Sequence, residues 1–400
     1  MSSESRYILK RKIKAKRLSF LFLLMRVFPV RRKKIVFAAF EGDGGFGCNP
    51  RYIAEELHRR DETLEMVWLT HDPGRGFPPY IRPVRDTGIN TAYHLSTAKV
   101  WIDNYRKPFG TLKRKGQLYI QTWHASIGFK AVGLFRGDAF PKIARIVSEW
   151  DSHLADYFLS NSEYCDRIYP KKLLYNGPTL RSGSPRCDII VGDRTRIRKE
   201  VRERYGLAQD AKIVLYAPTF RGGAQKGKKQ VVPNPITIDF DRARAVLSEK
   251  MGGDWIVMLR LHPQLAAIYD QMPADKKIEQ AIDASQADDM SELIAASDAL
   301  ITDYSSCAFD AMYGGIPVFL YADDIEDYKQ KRGQFMWKKD ELPFSVAGDN
   351  DELEASISGF DYDRYFAMKQ EFMEKHGVCE DGHASERVAD VVETKMRSNH

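Results

Sequence analysis

The chain has 400 residues, 43% of them hydrophobic and 12% aromatic, with a net charge of +6. That is more chain than one core usually serves, so two domains are expected. The five cysteines, Cys48, Cys165, Cys187, Cys307 and Cys379, are scattered without a C-x-x-C pair. That suggests neither a zinc site nor a disulfide framework and fits a reduced cytosolic setting.

The charge is uneven. Residues 1–34 carry twelve Lys and Arg and one acid, Glu4, a local charge of +11 that leaves the remaining chain at −5. The basic residues flank Phe20 to Met25, an apolar run far short of the ~20 residues a membrane-spanning helix needs. A secretory signal is disfavoured too, because Arg31-Arg32-Lys33-Lys34 stands where a small-residue cleavage site would be. A basic amphipathic helix lying against an anionic membrane surface is the expectation for residues 1–34. The alternatives are a basic helix docked on the body and a nucleic-acid arm. Phe20, Leu21, Phe22, Leu23 and Leu24 would be a poor face for phosphates alone, so no nucleic-acid partner is expected.

From residue 34 the chain alternates strand and helix. KIVFAAF reads as a buried strand, EGDGGFG as a glycine-rich turn, and NPRYIAEELHRR as a helix with Asn49 as N-cap and Pro50 in the first turn. Strands follow at MVWLT, VWIDN, LYIQTWH and YFLSNS, with helices near 91–98, 138–155 and 162–173. The rhythm restarts after a charged helix, RTRIRKEVRERYGL. Strands KIVLYAPTF, WIVMLRLHP, DALITD and IPVFLY alternate with helices DFDRARAVLSEKM, MSELIAASD and SSCAFDAMYGG, and IPVFLY reads as the last clear strand. Such alternation predicts α/β architecture with parallel, doubly wound sheets. The expected division is 1–34 as the basic segment, 35–200 as one domain and 201–400 as the second, the two facing a cleft.

Ligands of such sheets sit beyond the carboxyl ends of the strands. The polar residues that end strands are therefore the candidates. Asp303, Tyr304, Ser305 and Ser306 stand at a strand-to-helix junction, where free N–H groups and two hydroxyls suit a pyrophosphate. The plainer reading makes Ser305 only an N-cap. His262 ends LRLHP, held extended by Pro263, with Arg260 on the same strand face. An imidazolium there would stabilise the charge on a departing nucleotide. A lone histidine is more often structural, but its place at a strand end favours function. His124 ends LYIQTWH and is the candidate general base. Lys130 and Asn49 are candidate acceptor contacts, with a solvated charge the equal alternative for Lys130. Thr219 and Arg221 close YAPTFR, where an arginine can grip phosphate. Lys226, Lys228 and Lys229 read better as an ordinary surface loop. GDGGFG lacks the G-x-G-x-x-G spacing, and no P-loop or nucleophile elbow is present. Asp239 and Asp241 read as a helix cap rather than a metal pair, and neither a metal nor a cofactor is expected.

The ordered set GFGCNPRYIAEEL, QTWHASIGFKAVG, YFLSNSEYCDRIY, GSPRCDII, YAPTFR, LRLHP, DMSELIAASDALITDYSSCAFDAM, PVFLYADDIEDY and EDGHASERVAD resembles the CDP-glycerol glycerophosphotransferase family of teichoic-acid synthesis, over about residues 36–392. The resemblance implies a GT-B fold, two Rossmann-like domains with the donor held by the C-terminal one. It implies transfer of an alditol phosphate from CDP-glycerol or CDP-ribitol to a hydroxyl of an undecaprenyl-pyrophosphate-linked saccharide, with release of CMP. The family's two important histidines match His124 and His262. Its donor pyrophosphate site matches Ser305 and Ser306, with Asp303 in the same loop and Asp310 on the following helix. It also implies a peripheral protein on the cytoplasmic face of the bacterial membrane. Many members carry W-H-G-T-P-x-K where this chain has WHASIGFK, a departure on the acceptor side. The length favours a primase or a short polymerase. Two rivals remain: a GT-B glycosyltransferase using a nucleotide sugar, and a non-catalytic membrane-surface binding protein.

Overall fold

The computed structural model describes residues 3–219, 236–261, 281–332 and 335–398. It divides into two compact units. The first holds residues 1–126, 131–188 and 376–400, and the second holds 127–130 and 189–375.

The first unit is built on a seven-stranded sheet in the order β3-β2-β1-β4-β5-β6-β7. Its strands are β1 (Arg31–Ala38), β2 (Glu65–Thr70), β3 (Ile81–Arg85), β4 (Ala98–Asp103), β5 (Leu118–Gln121), β6 (Tyr157–Ser160) and β7 (Thr179–Arg181). Every pairing is parallel. Both faces are covered, which is why the strands read as unbroken apolar runs. In β1, Ile35 and Phe37 point into one core layer, with Ile53, Ala54 and Leu57 of the helix Cys48–Arg60 and Val388, Ala389 and Val392 of the helix Ala384–Arg397. Val36 and Ala38 point into the other, with Leu95 of the helix Gly88–Thr97 and Phe22 of the helix Ser3–Leu24.

The second unit has six parallel strands in the order β10-β9-β8-β11-β12-β13. These are β8 (Lys212–Ala217), β9 (Trp255–Leu259), β10 (Ala281–Asp283), β11 (Ala299–Thr302), β12 (Val318–Tyr321) and β13 (Ser345–Ala347). Taken along each unit, both orders begin 3-2-1-4-5-6, the Rossmann arrangement. Asp239 caps the helix Phe240–Met251 by accepting from the Arg242 amide at 3.0 Å, as its sequence suggested. β12 is not the last strand, because β13 follows it at the edge.

The basic N-terminal segment is a helix, Ser3–Leu24, whose inner face lies on the first unit. Ala15 and Phe22 are buried, and the Ser19 hydroxyl donates to the Gly110 carbonyl at 2.8 Å. Gly110 sits at φ +100°, and a Cβ there would come within 2.4 Å of the Ala15 carbonyl oxygen. The helix therefore rests directly on a bare backbone. Its other face carries Leu9, Ile13, Phe20 and Leu24, spaced three to four residues or multiples apart and each roughly half exposed, with Val27 just beyond at 79%. Among the described residues no helix is long and apolar enough to cross a membrane.

Phe22→Ala removes a large buried side chain from this seam and is expected to lower unfolding free energy by roughly 3 kcal/mol in urea titration. Gly110→Ala, which meets both the left-handed φ and the Ala15 carbonyl, is expected to lower it by about 1–3 kcal/mol.

Candidate active site

In the first unit the site is built where β5 ends. Gln121 is its last residue, fully buried. Its amide nitrogen donates to the Tyr105 carbonyl at 2.8 Å, with the Tyr119 hydroxyl at 2.8 Å and the Asp151 carboxylate at 3.2 Å. Its amide oxygen accepts from the Trp123 N–H at 2.9 Å. The Tyr119 hydroxyl donates in turn to Asp151 at 2.8 Å. Trp123 adopts φ +52°, a left-handed conformation unusual for so bulky a residue. The turn swings His124 out of line with the strand.

His124 is only partly buried, and its Nδ1 lies 3.0 Å from the Asn104 carbonyl. A carbonyl can only accept, so Nδ1 carries the proton and Nε2 keeps its lone pair. Trp123, Phe40 and Tyr105 surround the ring, with centroids 4.6, 5.5 and 5.9 Å away. Desolvation by burial lowers the His124 pKa to about 4, opposed by the Asn104 hydrogen bond and assisted by the cations Arg186, Lys172 and Arg106. At neutral pH the ring is an uncharged base with an open nitrogen.

The loop is held from below. Lys172, at the end of the helix Glu163–Lys172, donates to the Ala125 carbonyl at 2.9 Å and to the Ser126 carbonyl. Asn104 accepts from the Phe40 N–H at 2.8 Å through its side chain, fixing one aromatic wall. Asn49 is not the cap of its helix. Gly47 takes that position, and the Asn49 amide turns inward to the backbone of Thr122 and Trp123.

In the second unit, β8 and β11 end side by side and their following residues meet. Asp303 is buried, and both its oxygens lie 2.9 Å from the Thr219 N–H, with the Tyr304 N–H at 2.5 Å. Its carboxylate thus ties the two loops together. Tyr304 packs between Tyr328 and Phe335, with its hydroxyl 2.9 Å from an Asp324 oxygen. Ser305 and Ser306 stay partly exposed ahead of the helix Cys307–Tyr313. Ser306 occupies the cap position without a side-chain capping bond, and the Ser305 hydroxyl lies a long 3.5 Å from the Cys307 N–H. Capping therefore makes little use of either hydroxyl. Asp310 is buried in the first turn of that helix. Gly314 follows it, and a Cβ there would stand 2.6 Å from Ile190, so the close approach of that segment demands glycine.

Arg260 donates to the carbonyls of Leu261, Ser285 and Ala287 at 2.9, 2.7 and 3.0 Å, bracing the turn after β9. Lys130 belongs to the second unit together with Ile127, Gly128 and Phe129. Phe129 is buried against Phe309 and Phe344, its carbonyl accepts from Met336, and the Gly128 carbonyl accepts from the Trp337 indole. The Lys130 ammonium stands 5.9 Å over the Tyr328 ring. His262, Arg221, Lys226, Lys228 and Lys229 lie outside the described residues. Among the described residues no cluster of three or more His, Cys, Asp or Glu could hold a metal.

Sequence reading missed Gln121, Asn104, Asp151 and Lys172, which shape the His124 loop. The one available signal was a glutamine closing an otherwise apolar strand, LYIQ.

Comparison with known proteins fits this construction. The family model described as CDP-Glycerol:Poly(glycerophosphate) glycerophosphotransferase matches residues 20–394, and the chain belongs to that family. It is 29% identical to the teichoic acid poly(glycerol phosphate) polymerase of Bacillus subtilis (strain 168) over 96% of its own length, but spans only 52% of that relative. It is 27% identical to the teichoic acid glycerol-phosphate transferase of Staphylococcus aureus (strain NCTC 8325 / PS 47), covering 93% of this chain and 95% of that one. A solved structure of the wall teichoic acid polymerase TagF, a histidine variant soaked with CDPG, matches with a TM-score of 0.81 at 26% identity over 98% of both chains. The two Rossmann-like units are those of the GT-B class.

Acid stability follows from the buried rings. Burial, with Lys34, Arg82 and Arg31 nearby, lowers the His94 pKa to about 4, and His124 is lowered to about 4 as well. The unfolded chain takes up these protons near the ordinary value of ~6.5, before the folded chain can. Stability is therefore expected to fall as pH drops from about 6.5 to 4, read as a declining urea midpoint, and a His94→Gln variant should show a shallower decline.

Proposed function

We propose that the chain transfers glycerol phosphate or ribitol phosphate from a CDP-alditol to a hydroxyl of a membrane lipid-linked saccharide or growing teichoic-acid polymer, releasing CMP. The observation that carries this reading is His124: a desolvated, neutral imidazole with Nε2 open, in a chain of this family. The names of the relatives, glycerol-phosphate transferase and ribitol-phosphate primase among them, support the substrate class.

In the proposed step, His124 Nε2 takes the proton of the acceptor hydroxyl as its oxygen attacks the β-phosphorus of the donor. The new P–O bond forms as the bond from that phosphorus to the CMP phosphate oxygen breaks. CMP departs with the electron pair. Ser305 and Ser306 donate to the donor pyrophosphate, and His262 and Arg221 stabilise the charge on CMP. Asp303 and Arg260 act by shaping the donor loops, Asp303 by fixing Thr219. Lys130 and Asp310 remain the proposed acceptor and donor contacts at their positions.

The acceptor is proposed to be an undecaprenyl-pyrophosphate-linked saccharide, reached from the cytoplasmic face of the bacterial membrane. The helix Ser3–Leu24 supplies the contact. Its outward apolar residues would enter the interface while its many basic residues meet anionic headgroups.

With CDP-glycerol or CDP-ribitol, a lipid-linked disaccharide and EDTA, acceptor-dependent CMP release is expected from one donor. His124→Asn should lower kcat at least 10³-fold, and the acid limb of the wild-type rate should lie below pH 6. Release of CMP at wild-type rate by His124→Asn would sink the reading. Phe20→Glu with Val27→Glu should cut sedimentation with vesicles containing phosphatidylglycerol severalfold while CMP release from a soluble acceptor stays unchanged.

A further inference from the structure

Asn49 lies 73 residues before the loop it touches, is 1% exposed, and sits in the first turn of the helix Cys48–Arg60. Its Nδ2 donates to the Trp123 carbonyl at 3.0 Å and more weakly to the Thr122 carbonyl at 3.3 Å. Its Oδ1 accepts from the Arg186 N–H at 3.0 Å. Two carbonyls on one side and an N–H on the other fix the orientation of the amide. Both its N–H groups are directed to protein carbonyls.

The place of these bonds matters more than their number. They fall on the two peptide units immediately before His124, one of them the carbonyl of Trp123 itself. Trp123 is at φ +52°, a conformation that an L residue of this size holds only when its surroundings impose it. Gln121 restrains the turn from its N–H side, and Asn49 restrains it from its carbonyl side. Asn104 then fixes the ring through its carbonyl. Without the Asn49 bonds the Thr122 carbonyl loses this donor, the Trp123 carbonyl is left with the Thr122 hydroxyl at 3.1 Å, and the turn can relax toward an extended form, moving the ring and admitting water.

We propose that Asn49 is a positioning residue for the transfer reaction: it clamps the left-handed Trp123 turn and so sets the place and hydration of the His124 imidazole, rather than touching the acceptor. This rests on His124 being the base. An ångström of misplacement of a reacting group lowers rate about a hundredfold.

The test compares Asn49→Ser, His124→Asn and the double variant in the full chain, with CDP-glycerol as donor. Asn49→Ser is expected to lower kcat ten- to a hundredfold, to leave the dissociation constant of CDP-glycerol within twofold, and to move the acid limb of kcat upward by about one pH unit as the ring regains water. The double variant should be no slower than His124→Asn. If Asn49→Ser keeps wild-type kcat while His124→Asn is slow, the clamp is overturned and the base reading stands. A further loss in the double variant, or weakened CDP-glycerol binding, overturns it equally. Wild-type rate in His124→Asn overturns the base and the clamp together. Should Asn49→Ser fold poorly, Asn49→Asp keeps the volume and the acceptor for Arg186 while removing both donor bonds, and the same comparisons of kcat, donor affinity and the double variant apply.

Discussion

A parallel sheet covered on both faces leaves little of itself open to solvent except the ends of its strands. Everything chemical in this protein follows from that constraint. In the first unit Ile35, Phe37, Val100, Ile102 and Ile120 fill one layer, and Val36, Val67 and Trp101 fill the other. Both layers are filled by buried apolar side chains. The polar residues collect where the apolar run stops, at Gln121 to His124 after β5 and at Asp303 to Ser306 after β11. The burial that stabilises the sheet also dries these ends. It is the first cause of the lowered His124 pKa.

The two ends are built with different means. After β5 the chain is bent by a strained residue and held by side-chain amides and a lysine, all directed at backbone. After β11 one carboxylate receives the N–H groups of Thr219 and Tyr304 and so joins neighbouring loops. In both places the residues that look reactive in a sequence are few, and the residues that hold them are many. Asp303 belongs to the second kind. Its oxygens face N–H groups of the protein, while the adjacent Ser305 and Ser306 stay partly exposed.

Much of the fold was legible because a strand buried on both sides reads as a continuous apolar run. KIVFAAF and KIVLYAPTF announce β1 and β8 without any neighbour being known. The edge strands do not. β3 contains Pro83, tolerable only where one side of the ladder is free, and β7, β10 and β13 are three residues each. His124 was visible as a polar residue closing a strand. Asn49 was visible as a helix-start residue and a candidate acceptor contact but not as a brace of the His124 turn, because its partners lie at Thr122, Trp123 and Arg186 and no local pattern marks such distances. Lys130 follows His124 by six residues in the chain, and residues 127–130 pair with the stretch around Phe335 and Trp337 in the second unit. Six residues of separation say nothing about which core a segment joins.

The return of the chain to its starting unit has a consequence for how the protein is made. Val388, Ala389 and Val392 are fully buried against β1, β4 and the helix Cys48–Arg60, so the last helix completes the core that the first strands begin. During synthesis the early strands emerge with part of one face bare, and they stay so while some two hundred residues of the second unit are added. The second unit closes within a continuous stretch, apart from the short segment 127–130, and has no such wait. Long-range closure of this kind slows folding and prolongs exposure of apolar surface. The unit that carries His124 is thus the later of the two to be finished, because its core waits for Val388, Ala389 and Val392.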